Sequence, residues 1–146
     1  MPRIFDSHIV VILLASVLFY MVGFLWYGFI FMDAWMAIEG IPQDGEQDNM
    51  GLTMAIGFVI TVMQTIGLAG ILKLAKGYSI GKGIKIAVMT WFFFALPFCC
   101  YAWIYSADPL SPNANTLLMI DASHLFFAYL VAGGVLGMMR KAPEDR

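Results

Sequence analysis

The sequence predicts an all-α integral membrane protein, a four-helix bundle with both termini in the cytoplasm. Three observations carry that reading. Hydrophobic residues make up 61% of the 146-residue chain and charged residues only 12%. Four apolar runs are each ~20 residues or longer, enough to cross a ~30 Å hydrocarbon core. Every Lys and Arg falls in segments that four spans would place on one side. A soluble domain carries roughly 25% charged residues, so this chain has too few to coat a water-facing surface.

The spans are read at about 9–31, 52–72, 84–105 and 117–139, forming one domain. The first, Ile9 to Phe31, is too long for the 7–15-residue core of a signal peptide and ends without a small-residue cleavage site. It is therefore kept as a helix. None of the runs alternates with period two, which excludes a strand-rich barrel. The connector 32–50 holds Asp33, Glu39, Asp44, Glu46 and Asp48 without a basic residue, and reads as a loop. The connector 73–83 is basic, with Lys73, Lys76 and Lys82. Residues 106–116 are turn-forming, with prolines and candidate helix N-caps at Asn113 or Asn115.

Topology follows from counting. The eight basic residues are Arg3, Lys73, Lys76, Lys82, Lys85, Arg140, Lys141 and Arg146. All lie at the N-terminus, at the middle connector or at the C-terminus, and the other two loops hold none. The positive-inside rule then puts both termini in the cytoplasm. It predicts a multi-pass protein of a bacterial inner membrane, with the lipid bilayer as its surroundings. A net charge of −2 excludes nucleic acid as a partner, because phosphate binding needs clustered Lys and Arg.

Polar groups within the spans gather near one depth, toward the outer side. The fourth span supplies Asp121 and His124, three residues apart and so on one helix face, with Leu125, Ala128 and Ala132 continuing it. The first span supplies Tyr27 and the third Cys99, Cys100 and Tyr101. The second carries a stripe of Thr53, Gly57, Thr61, Gln64 and Leu68, in which Gln64 is expected to bond a neighbouring helix. Trp26, Tyr27, Trp35, Tyr101, Trp103 and Tyr105 fit an interfacial aromatic belt. Gly133 and Gly137 have the spacing of close helix packing, so Gly137→Leu is expected to cost more than Leu136→Ala.

Three arrangements fit Asp121. It is a structural group satisfied by tyrosine hydroxyls or His124, or a wet interfacial carboxylate, or part of a ligand, proton or metal site shared with His124. Two residues fall short of the three or four ligands a metal takes, so no metal and no cofactor is expected. His8 and His124 lie near opposite faces of the membrane, so bis-histidine haem within one chain is not expected. Cys99 and Cys100 are adjacent rather than spaced for redox exchange, and read as small apolar residues. Ser123 sits about 100° from the faces of its neighbours, poorly placed as a nucleophile. These absences favour a non-enzymatic structural or accessory subunit, packed against other membrane subunits or against itself. The alternative is an oligomeric transporter or channel for a proton, a metal ion or a small apolar molecule, using the Asp121/His124 layer.

The stretch from Gly23 to Met36 carries Trp26-Tyr27 and then Ala34-Trp35. It resembles the signature of an uncharacterised bacterial family of small membrane proteins, domain of unknown function 1761. In that pattern a Trp-Tyr pair ends helix one and an Ala-Trp follows in the loop. Phe29 and Asp33 depart from it, standing where members often have proline and a basic residue. The resemblance implies a four-helix membrane fold and carries no activity.

Overall fold

A computed structural model describes residues 2–41 and 49–139. Asp44, Glu46, Asp48, Arg140, Lys141 and Arg146 lie outside the described residues. Four helical spans cover Ile9–Ile30, Met50–Leu74, Ile80–Ile104 and Pro112–Met138, all long and apolar enough to cross a membrane. A two-stranded antiparallel hairpin precedes them, pairing β1 (Arg3–Ile4) with β2 (Ser7–His8). Phe5 and Asp6 turn it with positive φ, and Asp6 reaches Lys73 at 3.8 Å. The hairpin and the 73–79 connector therefore share one end of the bundle.

The first span is α1 (Ile9–Leu25) followed by a π-helical turn at Trp26–Ile30. The Phe31 amide donates to the Trp26 carbonyl at 2.8 Å, five residues back. One extra residue in the turn re-aims the side chains that follow it. The chain then makes a short helix, α2 (Met32–Glu39), where the sequence reading placed a loop. Ala34 and Trp35 thus sit on a helix. Its residues are mostly good helix formers, Asp33 favours the positive N-terminal end, and Gly40 stops it at φ 68°. Ile41 N–H then donates to the Met36 carbonyl at 2.9 Å, closing a Schellman cap.

The second span is one helix, α3 (Met50–Leu74). Its threonines satisfy their hydroxyls within the helix, Thr61 donating to the Gly57 carbonyl and Thr65 to the Thr61 carbonyl. Such internal bonding is what a segment without water requires. The third span is α4 (Ile80–Thr90), a second π-helical turn at Trp91–Ala95, and α5 (Leu96–Ile104). Pro97 opens α5, and the wide turn holds Phe93, the residue whose carbonyl the proline ring would crowd in a regular helix.

The fourth span, α6 (Pro112–Met138), begins earlier than the sequence reading had it. The cap is Ser111, whose Oγ accepts from Ala114 N–H at 3.2 Å, and not Asn113 or Asn115. Pro112 holds the first helical position, where a missing N–H costs nothing. The earlier start puts Asp121 about 13 Å and His124 about 18 Å along the helix, at ~1.5 Å per residue.

Helix α6 is central, packed against α4 and α1, while α3 leans mainly on α1. The core joins Ile12, Ala15 and Phe19 of α1, Leu68 and Leu72 of α3, Ala87 of α4, and Ala128, Ala132 and Leu136 of α6. Outer faces are apolar: Phe92, Phe93, Phe94 and Phe98 are all more than half exposed. This inversion of a soluble protein's surface belongs to a multi-pass membrane protein.

Candidate functional site

The first π-helical turn brings Trp26 and Tyr27 onto α6. The Tyr27 hydroxyl donates to Asp121 Oδ1 at 2.6 Å and stands 3.5 Å from His124 Nδ1. The two rings meet edge to face at 5.1 Å, and Trp35 of α2 packs on Tyr27 at 5.5 Å. The Trp26 indole N–H donates to Ser123 Oγ at 3.0 Å, and Ser123 donates in turn to the Ile120 carbonyl. Trp26 and Tyr27 thus turn inward instead of forming an interfacial belt. An indole N–H within the bilayer needs such an acceptor.

The third span repeats the device. Trp91 opens the other π-helical turn, and its indole N–H donates to the Ala122 carbonyl at 2.9 Å. Two tryptophans from two spans therefore hold the Ala122–Ser123 step of α6, directly between Asp121 and His124. Trp91 escaped the sequence reading because nothing in an apolar run marks a tryptophan as inward-facing.

Tyr101 does not join this cluster. It is 63% exposed and stacks on Tyr105 at 6.0 Å. Its depth matches, but it lies two residues beyond the buried Cys99, about 200° around the helix. Depth alone, without azimuth, misplaced it. Among the described residues no group of three or more His, Cys, Asp or Glu side chains is arranged to hold a metal ion.

Beside His124 lies a cavity of about 720 Å³ between α1 and α3, closed on one side by α2 and open to the surface on another, where the lining residues Phe29 and Ile60 are more than half exposed. Aromatic and methionine side chains form most of its wall, including Phe24, Phe29, Trp35, Met36 and Met54. The second-span stripe of Thr53, Gly57, Thr61 and Gln64 faces it. Gln64 has no hydrogen-bond partner among the described residues, so it opens to the cavity instead of bonding a neighbouring helix. Tyr20 lines the same wall and donates to the Met54 carbonyl at 3.0 Å. Gly23 completes it beneath His124, where a Cβ would stand 3.0 Å from Nε2. Tyr20, Gly23 and Tyr27 share a helix face by their spacing, the signal that could have found the cavity.

The profile of the family described as Protein of unknown function (DUF1761) matches residues 10–137. No curated protein and no solved structure matches the chain.

Proposed function

The chain belongs to the DUF1761 family, and from that premise we propose that it is a non-enzymatic membrane protein that binds a small apolar molecule in the open cavity between α1 and α3. The observation behind this is the 720 Å³ cavity. Its size falls within the ~300–1,000 Å³ of small-molecule sites, and it has their composition, an apolar wall with few polar groups. The accessory-subunit reading rests on missing catalytic constellations and on apolar and small-residue faces, which contact with lipid and packing within the bundle account for equally well. Hydrolytic chemistry would need a free nucleophile, whereas Ser123 Oγ accepts from the Trp26 indole and donates to the Ile120 carbonyl.

Gly57→Phe tests the reading. A Cβ at Gly57 would meet Tyr20 at 3.5 Å, an ordinary contact, and Gly57 lines the cavity, so a phenylalanine ring there would take up cavity space. Native mass spectrometry of gently purified wild type should find a bound small molecule that the equally well-folded variant lacks. Wild type carrying nothing, or both carrying the same phospholipids, overturns the proposal.

The same reading places the protein in a bacterial inner membrane with α2 and the 105–111 loop outside. The one-sided distribution of Lys and Arg supports this. Single cysteines at Asp108 and Lys82, both exposed, would be placed in a background lacking Cys99 and Cys100. An impermeant thiol reagent should label position 108 in intact cells and spare position 82, and the reverse pattern inverts the topology.

A further inference from the structure

We propose that the cavity takes a phenol-type ligand, an apolar aromatic molecule whose hydroxyl donates a hydrogen bond to His124 Nε2. The inference rests on the cavity being the binding site and adds the chemistry that selects the occupant.

The donors of the cluster fix its polarity. Tyr27 has one hydroxyl proton, directed at Asp121 Oδ1 at 2.6 Å. Toward His124 Nδ1, 3.5 Å away, the same oxygen can therefore only accept. A neutral imidazole with its proton on Nδ1 presents Nε2 as an acceptor. That atom has no hydrogen-bond partner among the described residues, and His124 lines the cavity. Glycine at position 23 leaves its edge uncovered, since any Cβ there would press on Nε2.

Only a donor satisfies such an atom, so a hydroxyl fits and an ether or ketone does not. Anionic ligands are disfavoured because no Lys or Arg among the described residues lines the cavity. Gln64 supplies a second unpartnered polar group from α3. It lies about 21 Å along its helix, against about 18 Å for His124 on α6. The polar groups thus sit deep, between walls of aromatic rings and thioethers that favour a ring over a flexible chain.

The test compares 4-propylphenol with its methyl ether, 4-propylanisole, by titration into wild-type protein in lipid nanodiscs, with empty nanodiscs as background. The phenol should bind about three- to tenfold more tightly, the worth of one neutral hydrogen bond. His124→Phe should abolish that preference while still binding the ether. Gly23→Ala, which covers Nε2 without changing the histidine, should reduce the preference too and serves if His124→Phe does not fold. Equal binding of both probes to wild type overturns hydroxyl recognition and leaves the cavity reading standing. A preference that survives both substitutions overturns the role of His124. Binding of neither probe overturns both readings together.

Discussion

Gly137→Leu will separate α4 from α6 and lower the thermal midpoint in detergent by about 2–12 °C. A Cβ on Gly137 would stand 2.5 Å from the Ser79 carbonyl oxygen and 2.9 Å from Gly83 Cα. A Cβ on Gly133 would collide with the Ala87 methyl, and one on Gly83 with the Gly133 carbonyl. These obstacles are mainly backbone, which cannot swing aside as a flexible side chain can. Overpacking typically costs about 1–3 kcal/mol, and more where a main chain must move. For a chain of this size each kcal/mol shifts the midpoint by about 2–4 °C. Gly133→Ala, a single methyl, should already destabilise measurably. The proper control is Met138→Ala, because Met138 is 61% exposed, whereas Leu136 is fully buried. Leu136→Ala leaves a cavity and should itself cost about 2–5 kcal/mol. A Gly137→Leu protein melting with wild type would show that the close α4–α6 contact is not formed.

That contact shows where sequence reasoning succeeds and where it stops. Composition and length suffice for a four-span membrane protein, because lipid imposes both directly. The Gly133/Gly137 spacing announces close packing, yet its partner, Gly83 and Ala87 on α4, follows only from which helices become neighbours. Tyr27, Asp121 and His124 were legible as one layer because rise per residue fixes depth. Azimuth was not, since each π-helical turn inserts a residue and rotates everything beyond it. Depth without azimuth therefore set Tyr101 beside the cluster and left Trp26 in the aromatic belt. The short α2 was hidden for a different reason. Its eight residues follow an apolar run with no proline or glycine between, so the break comes from the wide turn itself. The cavity needed α2 as well, because Trp35 joins the Tyr20, Gly23 and Tyr27 face in forming its walls.

Asp121→Asn will fold and melt within about 1 kcal/mol of wild type, while Asp121→Ala will cost about 2–3 kcal/mol. The difference follows from the Tyr27 hydroxyl. It donates to Asp121 Oδ1 at 2.6 Å in a part-buried setting, and asparagine retains an oxygen at that place. Asparagine also removes the penalty of holding a charge away from water, which offsets the weaker bond. Alanine leaves the Tyr27 O–H without its acceptor, and a stranded buried donor costs about 1–3 kcal/mol. The methylene and carboxylate volume is lost as well. Tyr27→Phe provides the cross-check. If the pair acts as a unit, the double variant Tyr27→Phe/Asp121→Ala should be less destabilised than the two single losses added together. Strict additivity would mean that the 2.6 Å contact contributes nothing to the fold. The same asparagine variant separates structure from chemistry. Should it fold normally and keep its selectivity for phenol over ether, the carboxylate is an anchor that orients Tyr27 and, through it, His124. Should it fold normally and lose that selectivity, the negative charge itself sets the polarity of the Tyr27–His124 array, and Asp121 belongs to the binding site.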